Sequence, residues 1–410
     1  MFIQRDIVKN ITNALNRKEI VAIVGARQIG KTTIMNYFYN KVKTNKSNFI
    51  TFDDLDILNL FENNINLFIE KYVESNDFLF IDEIQYSKNS GKYLKLIYDK
   101  YKIKIFISGS SRSEVAIHSL QYLVGRVFIF ECYPLSFKNF IDFFSKENSF
   151  LFSSMRKFED FNILKKEFSE YLKFGGYPEV VLDRGKGIKR EILRNIKNTY
   201  LLKEIRGVLN YRDLSEFENM LRKLALQDGK ILNKSSVAQD LGIHNNKIRE
   251  IIDVLEKTTI LNIVRPYLSN KSKELIKSPK TYLFDLGFKN SIINNFNDVD
   301  LKQDKGEVYE NFILNSFVKA GLNVNFWNYK SSHEMDFVIE GEKGVFGFEI
   351  KSRIGNAEIS SSMKKFIDLN KVKRIYVFCE NSDVKKKYNG CEVIFTHYLN
   401  VFWIINKVLC

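Results

Sequence analysis

Short apolar runs alternate with amphipathic stretches through the first third of the chain. Glu19–Val24 (EIVAIV), Phe49–Phe52, Phe78–Ile81 (FLFI) and Ile103–Ile107 (IKIFI) are almost continuously apolar. Runs of this kind fit strands buried on both faces of a parallel sheet. Between the last two, Leu94, Ile97, Tyr98 and Tyr101 recur at helical spacing. The strand–helix alternation predicts an α/β layer fold. Residues 133–230 are mostly helical in pattern, broken at Gly175-Gly176-Tyr177-Pro178, which demands a turn. From 306 the α/β pattern returns, with strands expected at Val324–Trp327, Met335–Ile339, Gly344–Ile350 and Arg374–Phe378. The polar, Asn-rich Asn290–Asp300 is the best inter-domain boundary. Four regions are expected: 1–150, 151–230, 231–295 and 296–410.

Composition narrows the class. Of 410 residues, 45% are hydrophobic and 27% charged, with 35 Phe and 20 Tyr to fill a core. That excludes a wholly disordered chain or a rod. The formal net charge is +14, without a basic tail, which permits nucleic-acid contact without demonstrating it. Cys132, Cys379, Cys391 and Cys410 form no CxxC pair, so no zinc site is expected. No signal-like apolar stretch opens the sequence and no apolar run reaches ~18 residues. A cytoplasmic protein with no membrane span is expected.

Gly25-Ala26-Arg27-Gln28-Ile29-Gly30-Lys31-Thr32 fits GxxxxGK[ST], directly after an apolar strand and ahead of a helical stretch that continues through Thr33. Such a loop turns successive N–H groups toward phosphate oxygens, and the following helix adds its positive end. Gly25 through Thr33 are therefore the expected ATP-binding residues. Lys31 would bridge the β- and γ-phosphates and Thr32 would ligate Mg²⁺.

The FLFI run ends in Asp82-Glu83. Asp82 would hold Mg²⁺ and Glu83 would polarise the attacking water. The next expected strand ends in Ser108-Gly109-Ser110-Ser111-Arg112. Ser110, with Ser108 second, is the candidate to touch the γ-phosphate or the water; a Ser-rich turn is the plainer alternative. Arg126 would either supply transition-state charge, in cis or to a neighbouring subunit, or serve as a structural ion-pair residue.

Asn233–Ile260 places Val237, Ala238 and Leu241 on one helical face, a break at Gly242, then a stripe of Ile248, Ile251, Ile252 and Leu255. This is a helix-turn-helix pattern. Two apolar runs, Leu261–Tyr267 and Lys280–Asp285, flank a basic tip, as in the wing of a winged helix. Asn245, Asn246, Lys247 and Arg249 are the candidate DNA-contacting residues, and a lid or protein-contact role is the alternative.

In the last region Glu349 and Lys351 are spaced i, i+2 on one face of an expected strand. With Asp336 in EMDF and Glu310 in a helical stretch, the set resembles the PD-(D/E)xK nuclease fold. There, acids bind Mg²⁺ and the lysine activates water beside the scissile phosphate. The leading Pro-Asp of that motif is replaced by Met335-Asp336. His333 is a further ligand candidate or a surface histidine.

Taken together, GARQIGKTT, FLFIDEIQ, ISGSS, LVGRV with YPLSF, GGYPEVV, GEVYENF and FEIK resemble one bacterial and archaeal AAA+ ATPase family. Its members carry a C-terminal nuclease-like domain of unknown function. The resemblance implies an ASCE-type P-loop sheet and a restriction-endonuclease-like α/β end, with the helical and winged-helix middle expected from the pattern above between them. It implies ATP and Mg²⁺ as cofactors, and Asp82/Glu83 as the Walker B acids. DNA, a protein partner and further copies of the chain are the partners it leaves open.

Overall fold

The four apolar runs become four parallel strands, and a fifth joins them. In the computed structural model they are β1 (Ile20–Gly25), β2 (Ser47–Thr51), β3 (Phe78–Asp82), β4 (Lys104–Ser110) and β5 (Val127–Glu131). Their order is β2-β3-β4-β1-β5, all parallel. One strand, β4, separates the strand before the glycine loop from the strand ending in the two acids. This is the parallel-sheet P-loop NTPase fold.

The structure describes residues 2–42, 46–110, 122–200, 214–268, 274, 277–330, 332–352 and 354–409. Two compact units divide the chain. One comprises Met1–Leu135, Asn198–Arg212 and Glu250–Ile260; the other comprises Ser136–Lys197, Asp213–Arg249 and Leu261–Cys410. Asn290–Asp300 lies inside the second unit.

Both faces of the first sheet are covered. β1 and β4 are buried along their whole lengths, as a central parallel strand between helical layers requires. On one face Phe38, from helix Lys31–Val42, stacks on Phe106 at 5.8 Å, and Phe106 on Phe80 at 4.6 Å. On the other, Leu94 and Ile97 of helix Ser90–Lys100 join Ile81, Ile105 and Ile107 in one buried cluster. Each fully buried side chain of this size stabilises by roughly 1.5–3 kcal/mol, so the sheet is a rigid platform for its edge residues.

The second unit holds an eight-stranded mixed sheet. Its strands are β6 (Leu261–Pro266), β7 (Lys280–Leu283), β8 (Asn325–Tyr329), β9 (His333–Gly341), β10 (Gly344–Ile350), β11 (Val372–Phe378), β12 (Lys385–Tyr388) and β13 (Cys391–Thr396). The order is β12-β13-β11-β10-β9-β8-β6-β7. β6 and β7 form the expected antiparallel pair, but β6 also runs parallel beside β8, through Arg265↔Asn325 and Pro266↔Phe326. The wing-like strands therefore belong to the same sheet as the C-terminal strands. Most of the basic tip (269–273, 275 and 276) lies outside the described residues. Helix Lys305–Lys319 buries Tyr309, Phe312, Ile313 and Phe317, with Phe317 packing on Phe348 at 4.7 Å.

The Gly175-Gly176 break has a specific cause. Gly175 has φ +70, and a Cβ there would stand 2.0 Å from a carboxylate oxygen of Asp285. The Gly176 N–H donates to Asp285 Oδ2 at 2.8 Å, and the Phe288 N–H to Oδ1 at 3.0 Å. Asp285 thus caps helix Leu286–Ile293 and fixes the turn at once. Among the described residues no helix is long and apolar enough to cross a membrane.

Candidate functional site

The glycine loop leaves β1 at Gly25 and enters helix Lys31–Val42. Gly25 has φ +154, and a Cβ there would lie 2.2 Å from the Cys132 carbonyl, so only glycine fits. Gln28 is left-handed with φ 60. Lys31 is buried, and its ammonium donates to the Gly25 carbonyl at 3.0 Å and the Ala26 carbonyl at 2.9 Å. The cation is thus folded back over the loop it follows. Thr32 and Thr33 lie in the first turn, where helix N–H groups lack intrahelical acceptors.

β3 brings the acids to the same edge. Thr32 Oγ1 donates to Asp82 Oδ2 at 2.7 Å, linking the two expected Mg²⁺ ligands directly. Asp82 is buried, and Ser108 Oγ donates to its other oxygen. Glu83 is left-handed with φ 56. Such backbone costs roughly 1–2 kcal/mol in a non-glycine residue and concentrates at functional sites. It turns the chain sharply at the strand end and separates the direction of Glu83 from that of Asp82.

The two serines make different contacts. Ile81 is paired with Ile107, which brings Ser108 beside Asp82. Ser110 pairs with Gly25 at the mouth of the loop, and its N–H donates to Gln85 Oε1 at 3.3 Å. Both side chains point to one face, since strand side chains alternate with period two.

Gln85 is a residue the sequence reading passed over. Its Nε2 donates to Glu83 Oε2 while its Oε1 accepts from Ser110. It thereby ties the second acid to the end of β4. Its only signal in the sequence is its place two residues after the acid pair, in a short 3-10 turn Ile84–Tyr86.

Arg126 is not brought to the loop. Its guanidinium makes a two-point ion pair with Asp99, at 2.9 and 3.3 Å. Its carbonyl accepts from Ile20 N at 2.8 Å, at the start of β1, the opposite end of that strand from Gly25. Action in cis is corrected on this ground: a β1 of six residues sets about 17 Å between the two ends.

Helices Lys234–Leu241 and Asn245–Lys257 flank Gly242, whose φ is 67. Asn245, Asn246 and Arg249 are exposed, and Lys247 is 3.7 Å from Glu216.

The acidic set of the C-terminal strands does come together. Asp336 on β9 accepts from Ile350 N at 2.7 Å. Glu349 on β10 is buried; its Oε1 meets Lys351 Nζ at 2.5 Å, and its Oε2 has no hydrogen-bond partner. Glu310 accepts from the Tyr282 hydroxyl and from Lys280 Nζ, the latter at 3.3 Å. Burial pushes the Glu310 carboxyl up to about 7, with the Asp336 charge adding to it. Burial also raises Asp336, helped by Glu349, and raises Glu349 despite the Lys351 ammonium. Lys351 itself is held above its ordinary value: burial pulls it down, and Glu349 outweighs that. His333 is half-buried, with Nδ1 lacking a partner.

Cofactor fit differs between the two sites. At the loop, a buried lysine that donates to carbonyls of its own loop, beside a Thr–Asp pair, suits a triphosphate and a hard cation. At the acidic set the all-oxygen donors and the orphaned Glu349 oxygen also suit a hard cation. Among the described residues, however, no three acidic, His or Cys side chains converge to hold a metal ion.

Comparisons with known proteins agree with the first site. Residues 17–141 match a family model described as an AAA domain. Residues 165–299 and 305–399 match two further family models, each described as a domain of unknown function. An uncharacterized protein of Methanocaldococcus jannaschii is 27% identical over 351 residues, 83% of this chain and 75% of that protein. An uncharacterized protein of Mycobacterium tuberculosis is 22% identical over 385 residues, 92% and 80% respectively. Among solved structures, a Thermotoga maritima RuvB variant aligns with a TM-score of 0.34 at 16% identity, over 67% of this chain and 95% of that one. The parallel sheet, the glycine loop and the AAA-domain match together support a nucleotide-dependent P-loop ATPase.

Proposed function

We propose that this chain binds and hydrolyses ATP with Mg²⁺ at Gly25–Thr33 and couples the cycle to remodelling of a DNA- or protein-bound complex in the cytoplasm. The observation that carries the reading is the Thr32–Asp82 hydrogen bond of 2.7 Å at the mouth of the loop that Lys31 closes. Bound Mg²⁺ would withdraw charge from the phosphate oxygens. Thr32 and Asp82 would hold it. Lys31 would exchange its two carbonyl partners for phosphate oxygens, and Glu83 would orient and polarise the attacking water. Ser110, level with Gly25, is proposed to touch the γ-phosphate or that water, and Ser108 to hold Asp82. Arg126 would act across a subunit boundary or serve as the structural ion-pair partner of Asp99.

Gln85 is a positioning residue for Glu83. Gln85→Ala is expected to lower kcat for ATP about three- to tenfold with KM unchanged, because the acid loses an anchor but no phosphate contact is removed. A steady-state ATPase titration separates the two constants; a rise in KM with constant kcat would contradict the assignment.

Remodelling of DNA is supported by exposed Asn245, Asn246 and Arg249 at the start of the second helix of the helix-turn-helix pair. The test is ATP turnover with and without duplex DNA. Stimulation that is lost in an Asn245→Ala/Arg249→Ala protein supports DNA coupling. Turnover indifferent to DNA favours a protein partner. Negligible turnover despite tight ATP binding would replace this reading with a nucleotide-dependent switch.

A second reading, Mg²⁺-dependent DNA cleavage at Glu310, Asp336, Glu349 and Lys351, is favoured by one observation, the orphaned buried oxygen of Glu349. On this reading Lys351→Ala abolishes cutting of single-stranded, duplex or branched DNA. No cutting of any of the three by the parent protein would remove it.

A further inference from the structure

The acidic set contains a cation that its motif does not account for. Lys280 opens β7, outside the strands that carry Asp336 and Glu349, and its backbone is fixed by pairing with Val264 and Ile231. The residue is 5% exposed. A lysine is almost never buried this deeply without carboxylate partners. Its ammonium lies 2.5 Å from Glu334 Oε1 and 3.3 Å from Glu310 Oε1, over the Phe326 ring. Burial pulls its pKa down, yet Glu310, Asp336 and Glu334 together hold it above the ordinary lysine value. Tyr282, two residues on along the same face of β7, donates to Glu310 as well.

Two lysines thus bind three of the four carboxylates. Lys351 takes one oxygen of Glu349, and Lys280 joins Glu310 to Glu334. Glu349 Oε2 is left without a hydrogen-bond partner; its side chain is 8% exposed and feels the charges of Glu310 and Glu334. A divalent cation needs several oxygens at once. Glu310 Oε1 and Glu334 Oε1 are already bound to the Lys280 ammonium, whose charge would repel a second cation at contact distance.

We infer that Lys280 is a built-in counter-ion that stands in the divalent-cation position of the C-terminal acidic centre and sets its affinity for Mg²⁺ or Mn²⁺. The ammonium satisfies Glu310 and Glu334 without metal, so the parent centre takes divalent ions weakly. Removing it frees the Glu310 and Glu334 oxygens that it binds, so that the acidic side chains, which do not converge on a metal position as they stand, could close on an incoming ion. This rests on reading the acids as a cation centre and is independent of whether the centre cuts DNA.

The test is a Mn²⁺ titration of the nucleotide-free full-length protein, with free Mn²⁺ followed by electron paramagnetic resonance. Lys280→Met is expected to bind one Mn²⁺ at least about tenfold more tightly than the parent, and Lys280→Met/Glu349→Gln to lose that site. Lys280→Arg keeps the charge and is expected to bind as weakly as the parent. Tight binding by the parent that Glu349→Gln abolishes would overturn the inference with no need of a Lys280 variant. So would tight binding by Lys280→Arg, or a folded Lys280→Met, checked by circular dichroism, that binds no more tightly than the parent. Metal gained in Lys280→Met without DNA cleavage would sink the cutting reading and leave this one standing. ATP turnover of the same proteins reports on the phosphate loop separately.

Discussion

Glu83→Gln is expected to slow ATP turnover by about two to three orders of magnitude while leaving ATP binding within about twofold of the parent. The carboxylate lies beyond the loop, is held by Gln85 rather than by Lys31 or Thr32, and is aimed by a left-handed residue at the end of β3. Glutamine keeps the size and one acceptor oxygen but loses the charge that polarises water. Lys31→Ala should fail differently. It removes the buried ammonium that now bonds the Gly25 and Ala26 carbonyls, so nucleotide affinity itself falls at least about tenfold and turnover with it. Single-turnover hydrolysis and equilibrium binding of a fluorescent ATP analogue distinguish the two. A Glu83→Gln protein that hydrolyses ATP at the parent rate would refute the assignment of the water-polarising group.

Much of this site is legible in the sequence because its parts are local. A GxxxxGK[ST] loop after an apolar run, and two acids ending another, require only that both runs be parallel strands with mouths at the same edge. The order of β1, β4 and β3 supplies that. The relative roles of the serines were not legible, because they depend on register: Ile81 pairs with Ile107, so Ser108, not Ser110, meets Asp82. Gln85 was missed for a related reason, since its contact with Ser110 joins two strand ends 25 positions apart.

Two of the strands not expected from the sequence, β5 and β12, have a physical explanation. β5 is an edge strand with only intermediate or exposed residues, so its VFIFE run lacks a fully buried signature. β12 is KKKY, mostly exposed, and lies at the edge of its sheet, where lysines discourage further pairing. The placement of β6 beside β8 is the largest omission. The pair Arg265↔Asn325 spans 60 residues, and nothing in a local pattern encodes it. It is also what makes the wing-like hairpin and the acidic strands one sheet, and therefore what brings Lys280 to Glu310.

Lys289→Met is expected to destabilise the second unit by about 3–5 kcal/mol, the range for breaking a buried ion pair by removing one partner. Lys289 is 1% exposed and its ammonium lies 3.3 Å from Asp228 and 2.9 Å from Asp304. Asp228 is equally buried and already receives the Leu283 N–H at 2.6 Å and the Asn311 amide at 2.9 Å. Those bonds satisfy its lone pairs but bring no positive charge, and burial already pushes its pKa up. Without the lysine, Asp228 must either remain charged in an apolar setting or take a proton. Asp304 is less affected, since Lys302 also acts on it and it is one-third exposed. Burial lowers the Lys289 pKa, but the two carboxylates overcome this and raise it above 10.5. Its stabilisation is therefore complete below pH 10.5 and is lost as pH rises through the higher folded-state value. Urea unfolding followed by near-ultraviolet circular dichroism measures the cost at pH 7. Adding Asp228→Asn to Lys289→Met should recover about half of it, because the uncompensated charge is then gone. A single-variant loss below about 1 kcal/mol would mean that water reaches Asp228 and that the pair is not the dry ionic lock its burial describes.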